Sequence, residues 1–288
     1  MRIAHLILAH NNPNQLELLI RRLTYADDVV YVHLDKKTPL APFGYLRTLK
    51  NVFFVDKRVS VKWGASSMVD ATINGFTEIL ATGTKYDFIN LLSGCDYPLQ
   101  RPEYIHDYLS QHKGKTFMSF KAISNDWQEA IPRIELYHLN NYKFPGVFIA
   151  QRLLNQLLPK RSMPNALIPV GQSQWFTASG DAVAYILNFW KQNPQLRRFI
   201  GLTWGPDEFV FQTILYNSPF YERLVNNNLR YIDWSAGGAS PKTLTIADQS
   251  KLLASNNLYA RKFDLDKHGD IMQLIDQKLG NDSRVASA

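Results

Sequence analysis

The sequence predicts an α/β domain with a mostly parallel central sheet flanked by helices. Two observations carry that expectation. Over the first 120 residues, β-branched and aromatic runs alternate with helix-period segments, the order that builds a parallel sheet with helices on its faces. No internal repeat or low-complexity linker interrupts the 288 residues. Residues 1–279 therefore read as one domain, and the small, polar residues 280–288 as a frayed, disordered tail.

Each element has its own reason. The apolar run starting at Ile3 and bounded by Asn11-Asn12-Pro13-Asn14 reads as a buried first strand. Residues 14–26 carry Leu16, Leu19, Ile20 and Leu23 at helical spacing, with Asn14 placed to cap them. Val29-Val30-Tyr31-Val32-His33-Leu34 is a second buried strand ending at Asp35-Lys36-Lys37, and residues 52–55 make a third. Residues 67–81 place Val69, Ile73, Phe76, Ile79 and Leu80 on one helical face. Residues 88–92 form a fourth strand, and residues 103–111 a short helix.

Residues 120–170 are rich in Asn, Tyr and Pro, and only 147–158 shows an amphipathic helical pattern. Beyond them, 174–178 reads as a strand and 181–191 as a helix. A further helix opens at Gly205-Pro206-Asp207-Glu208 and runs through Phe209, Phe211, Ile214 and Leu215. Residues 230–234 read as a strand, 235–241 as a flexible Gly/Ser loop, and 246–256 and 271–279 as the last helices.

Composition narrows the function classes. A chain with 45% hydrophobic and 20% charged residues is neither disordered, collagenous nor a coiled coil. A single cysteine, Cys95, excludes an intramolecular disulfide and any multi-cysteine metal site. The net charge of +7 fits nucleic acid, an anionic membrane face or a phosphorylated ligand. No helix-turn-helix, RNA-recognition or zinc motif supports the nucleic-acid reading. No run approaches the roughly 18 apolar residues that span a bilayer, and no cleavage site follows the first apolar run. The expectation is a soluble, cytoplasmic protein, with electrostatic attachment to the inner membrane face left open.

Several constellations remain. Phosphate-loop, dinucleotide and nucleophile-elbow motifs are missing, and the seven histidines show no compact metal-ligand spacing. Asp35 and Asp96 stand at strand ends, where open α/β sheets bind ligands, although aspartates also serve there as turn formers and caps. Asp264-Leu265-Asp266 is the one Asp-x-Asp pair, a pattern that chelates a divalent cation but is common by chance. Asp207 and Glu208 lie where a helix dipole favours negative charge; the sharper reading makes one of them a general base. Lys242, after the Gly/Ser loop, and Arg261-Lys262 form a basic cluster suited to a diphosphate or to a solvated surface. Trp63, Trp175, Trp204 and Trp234 sit beside turns or strand ends, placed either to stack on a sugar or base or to pack in the core.

Taken in order, the segments resemble the core-2/I-branching β-1,6-N-acetylglucosaminyltransferase family (glycosyltransferase family 14), which also contains peptide O-xylosyltransferases. They are Leu8-Ala9-His10; Val32 to Lys37; Arg58 through Lys62-Trp63-Gly64 to Ser67 and Val69; and Asp87 to Leu99. Later come Gly171 to Phe176, Gly205-Pro206-Asp207-Glu208-Phe209, Arg230 to Trp234, Ser240-Pro241-Lys242, and Leu258 to Asp264.

The resemblance implies a GT-A-like fold and an inverting transfer from a UDP-sugar donor to a glycan or glycoconjugate acceptor, without a cofactor and, in the branching enzymes, without a metal. It places the base on Glu208 and the leaving-diphosphate contacts on Lys262 and, near a gap, Lys242. Asp35 matches a uridine contact and Trp234 an acceptor-side aromatic. Arg58, Asp96 and Arg261 complete the expected donor side, and Trp175 the acceptor side. N-acetylglucosamine is the expected sugar. Xylosyl transfer is the alternative, and a non-catalytic glycan- or nucleotide-binding module the alternative from another class. The family's animal members carry a membrane anchor and disulfides that this sequence does not show.

Overall fold

The computed structural model describes the backbone of residues 1–285 and side chains through residue 280. In chain order the first elements are β1 (Ile3–Ala9), α1 (Pro13–Leu23), β2 (Val29–Leu34), β3 (Val52–Phe54), α2 (Ser67–Ala81), β4 (Phe88–Ser93), β5 (Asp96–Pro98) and α3 (Pro102–Ser110). The less patterned middle holds β6 (Thr116–Phe117), β7 (Phe120–Ala122), α4 (Ile131–Glu135), α5 (Val147–Leu157) and β8 (Val170–Gln172). There follow β9 (Phe176–Ser179), α6 (Gly180–Gln192), α7 (Pro194–Gly201), α8 (Val210–Tyr216), β10 (Leu224–Val225), β11 (Arg230–Ile232), α9 (Gln249–Leu253), β12 (Tyr259–Arg261) and α10 (Leu265–Val285).

The central sheet has seven strands in the order β10-β6-β9-β4-β1-β2-β3. The neighbours β4-β1, β1-β2, β2-β3 and β10-β6 are parallel; only β9, between β4 and β6, runs against its partners. The expected mostly parallel sheet with helices on both faces is therefore present. A smaller sheet, β11-β12-β5, carries the end of the chain back onto the segment after β4. The antiparallel pair β7-β8, distant in sequence, forms the third.

The period of two along each strand sorts the core into two layers. Ile3 and Ile7 of β1, Val30, Val32 and Leu34 of β2 and Phe88 and Leu92 of β4 pack on one face with α1, α3 and α10. Ala4, Leu6 and Leu8, Val29 and Tyr31, and Ile89 and Leu91 pack on the other with α2, α6 and α8. Burial on both faces is why these strands read as continuous apolar runs. One polar thread crosses the first layer. Arg230 is buried and donates to Thr177 Oγ1, Leu91 O and Phe176 O at 3.0–3.1 Å, and also to Asn90 Oδ1. Its enclosure lowers the guanidinium pKa to about 10.

Three local expectations are corrected. The cap of α1 is Asn12, not Asn14: its side chain accepts from Gln15 N at 2.9 Å, and Pro13 then takes the first helical position. The helix expected to run unbroken from Pro206 is two pieces. Residues Pro206–Glu208 form a single 3-10 turn, Phe209 leaves helical geometry at φ −141°, and α8 starts at Val210. The helix expected over 271–279 has a separate turn before it: Asp264 O accepts from His268 N at 2.8 Å, His268 leaves helical geometry at φ −141°, and the continuous helix follows, close to its predicted start. Of the tail expected from residue 280, the backbone of 280–285 continues α10, and 286–288 lie outside the described residues.

Candidate functional site

The carboxyl ends of β1, β2 and β4 meet at one edge of the sheet. Asp35 directly follows β2, and its backbone N–H donates to Ala9 O at 2.9 Å; Gly94, after β4, donates to Leu8 O at 2.9 Å. Asp35 and the Gly94–Asp96 turn therefore flank the end of β1, where open α/β sheets bind ligands. Asp35 Oδ1 accepts from Lys37 N at 2.8 Å, closing its own turn. Arg58 lies behind it and spends its guanidinium on main-chain carbonyls, those of Leu34, Asp35 and Thr38. Its visible work is to hold the end of β2 in shape.

The small sheet brings the C-terminal basic residues to the same edge. Arg261 on β12 pairs in register with Asp96 on β5. Its Nε stands 3.3 Å from Asp96 Oδ1, and its guanidinium lies 4.5 Å over the Trp175 ring. Asp96 is fully buried. Burial pushes its carboxyl pKa up, and the Arg261 charge opposes that rise. Trp175 is itself buried, with a face against Arg261, so it serves as a platform for the ion pair rather than an open stacking surface. Trp234, by contrast, is 53% exposed.

Lys262 is half-buried and makes no ion pair among the described residues. The segment after the Gly/Ser loop runs beside it, with Leu244 N donating to Lys262 O at 2.8 Å. Lys242, two residues earlier, is held by Asp248 at 2.6 Å, and that bond raises its pKa. Asp264 and Asp266 face other partners. Lys267 sits 3.0 Å from Asp264 and holds its carboxyl low, while Asp266 accepts from Asn12 at 2.9 Å. Among the described residues no group of three or more potential ligands surrounds a metal position.

Glu208 ends the 3-10 turn that follows Gly205, whose φ of +59° suits glycine. Its Oε2 accepts from Arg133 Nη1 on α4 at 2.5 Å, and Oε1 makes no hydrogen bond among the described residues. The Arg133 guanidinium lies 4.7 Å from the Trp127 ring and 4.4 Å from the Trp204 ring. Trp204 in turn meets the exposed Trp63 edge-on at 5.4 Å. Gly205 N donates to Gly64 O at 2.8 Å, joining the two tryptophan loops. Asp207 points inward. It is buried, and burial, then the neighbouring Glu208 charge, pushes its pKa up to about 7. Only one of the two acids therefore faces the open side.

One short segment joins the Glu208 turn to the Arg261 cluster. Gly171 of β8 packs so tightly behind Glu208 that an added Cβ would fall 2.4 Å from Glu208 O and from Phe209 Cα. Gln212 on α8 donates to Ser173 O, and Trp175 follows two residues later. Four residues of chain span at most about 14 Å, so the Glu208 turn and the Asp96–Arg261 pair are linked by one short segment.

Sequence reasoning missed Arg133, Trp127 and Gln15. The buried Gln15 side chain donates to Gly94 O at 3.0 Å and Phe263 O at 3.2 Å and accepts from Leu265 N at 2.7 Å. It staples α1 to both the turn after β4 and the segment after β12. Its signal was a lone amide in the apolar stripe of a helix.

The chain was compared with known proteins. The model of the core-2/I-branching enzyme family matches residues 3–255. Xylosyltransferase 2 of Rattus norvegicus is 26% identical over 300 residues, covering 96% of this chain and 33% of the relative. The xylosyltransferase of Ciona intestinalis is 25% identical, covering 98% of this chain and 34% of its own. The chain thus spans about a third of the length of these relatives. Among solved structures, mouse xyloside xylosyltransferase 1 aligns at 11% identity with a TM-score of 0.39, over 90% of this chain and 97% of that one. With the family model matching most of its length, the chain belongs to the core-2/I-branching enzymes, a family of glycosyltransferases.

Proposed function

We propose that the protein is an inverting glycosyltransferase that moves a sugar from a UDP-sugar to a hydroxyl of a glycan or peptide acceptor. Xylose is favoured as the sugar over N-acetylglucosamine. The observation that carries the reaction is the carriage of Glu208. Arg133 fixes one carboxylate oxygen and leaves the other open, beside a cluster of tryptophans suited to a sugar ring. The choice of xylose rests on the curated relatives that align with nearly the whole chain and are named xylosyltransferases.

In this reading Glu208 Oε1 takes the acceptor hydroxyl's proton as that oxygen attacks the anomeric carbon from the face opposite UDP. One displacement gives a β-linkage. Asp35 and the Gly94–Asp96 turn border the nucleotide. Lys262, and Lys242 once it exchanges Asp248 for phosphate, meet the charge of the departing diphosphate, a part a metal plays elsewhere. Arg261 acts one step back, holding Asp96 and the Trp175 wall.

The test compares UDP-xylose and UDP-N-acetylglucosamine in UDP release and in transfer to glycan and peptide acceptors. Glu208→Gln is expected to lower kcat by about 10²–10⁴ with UDP affinity retained. Full activity in that variant moves the base elsewhere. UDP binding without turnover on either donor supports the non-catalytic reading.

A further inference from the structure

We infer that helix α5 is a membrane-docking element that lays its apolar face on an anionic lipid surface. The inference stands independently of the transfer chemistry.

The helix is mounted the wrong way round for a soluble protein. Two of its polar residues, Gln151 and Asn155, face the body of the molecule. Gln151 accepts from Leu139 N at 2.8 Å, and Asn155 accepts from Tyr137 N at 2.7 Å and donates to Tyr137 O at 2.9 Å. At about 100° per residue, Ile149, Leu153 and Leu157 then lie on the opposite side. They are 68%, 49% and 78% exposed, and no residue of α5 is buried. Amphipathic helices of globular proteins turn that stripe to the core. Phe148, Tyr142 and Phe144 add exposed aromatic area at the N-terminal end. Between α5 and residues 139–144 runs an open apolar groove of about 460 Å³.

Charge chooses the occupant. From Leu136 to Gly180 the sequence contains no aspartate or glutamate, and Lys143 and Arg152 stand exposed before and along the helix, while Lys160 after it pairs with Glu135 at 2.5 Å. An apolar stripe edged by cations is the pattern of a helix lying in the headgroup region of anionic lipid, its apolar side chains among the acyl chains. The groove accepts an acyl chain. A second copy of the same face would set like charges against each other across a two-fold axis. The mount is also firm: Arg161 ties the segment to the carbonyls of Leu136, Leu202 and Phe199.

The test is flotation of the full chain with vesicles of phosphatidylcholine alone and of phosphatidylcholine mixed with phosphatidylglycerol. The mixed vesicles are expected to bind at least about tenfold more protein at low salt, with the excess lost at high salt. Ile149→Ser with Leu157→Ser should abolish binding, and Lys143→Gln with Arg152→Gln should remove the lipid preference. Both pairs change exposed side chains, so the melting temperature should hold. Failure of the native chain to float with either vesicle overturns the proposal, as does undiminished binding by the serine pair. A native dimer that the serine pair dissociates overturns it in favour of self-association.

Discussion

Arg133 reaches across 75 positions of sequence to hold Oε2 of Glu208, with its guanidinium between the rings of Trp127 and Trp204. A planar cation bound at its edge and flanked by aromatic faces has little freedom to rotate, so the carboxylate is held as well. Arg133→Ala should therefore lower kcat by about 10² through misplacement of the base, with little change in UDP affinity. Arg133→Lys keeps the charge but loses the fork and the stacking, and should recover only part. Steady-state kinetics beside UDP titration calorimetry reads the difference. An unchanged kcat in Arg133→Ala would sink the positioning role.

The adjacent cations Arg261 and Lys262 should separate cleanly. Removing Arg261 leaves Asp96 buried without its ion pair, so Arg261→Gln should cost about 3–5 kcal/mol of stability. Lys262→Ala should leave the melting temperature nearly unchanged and weaken UDP binding, since its amine has no partner among the described residues to lose. Thermal melts and UDP dissociation constants measured side by side test both. Equal melting losses would place Lys262 in the scaffold.

Asp207 ties stability to pH. Its folded pKa is raised to about 7 by burial and the Glu208 charge. From the ordinary aspartate value of about 3.9 up to that point, the folded state keeps a proton that the unfolded state has given up. Stability therefore falls as pH rises through this window and levels off above it. Asp207→Asn should melt higher than the native chain at pH 8, with the gain shrinking towards pH 4. A gain that does not vary with pH would show that Asp207 ionises normally.

The expectation of transfer without a metal is tested at Asp264 and Asp266. Because both are engaged with Lys267 and Asn12 at the head of α10, UDP release should continue in EDTA. Asp264→Asn with Asp266→Asn should keep activity and lose some stability at the head of α10. Strict dependence on manganese, abolished by this pair of substitutions, would return the cation to that position.

How far the sequence could be read depended on how local each cause was. β1, β2, β4 and α2 were legible because burial on both sheet faces, or along one helical stripe, writes itself into consecutive residues. β5 and β12 were not, since strands of three residues carry too little pattern and exist only by pairing with each other and, for β12, with β11. The Glu208 turn was legible as a motif, but the break at Phe209 was not. Phe209 packs into the second core layer, and that packing overrides the helical pattern. Arg58 was read as a donor-side residue, while its bonds to the carbonyls of Leu34, Asp35 and Thr38 left no trace in the sequence. Arg133 was invisible because α4 lies in the weakly patterned middle and its partner is remote in sequence. The unusual facing of α5 was hidden too: an amphipathic pattern reports two faces but not which one turns inward.

Gly171 gives the site its depth. The strand behind the Glu208 turn touches it through a bare backbone, at the one position where a single carbon would collide with both Glu208 O and Phe209 Cα. The distance between the Glu208 turn and the strand behind it is thus gauged by the absence of a side chain. A methyl group there would act as a shim, pushing the turn outward while Glu208, Arg133 and the tryptophans stayed the same. The pose of the Glu208 carboxylate is therefore adjustable in this scaffold from behind the turn, without any change in the residues in front of it.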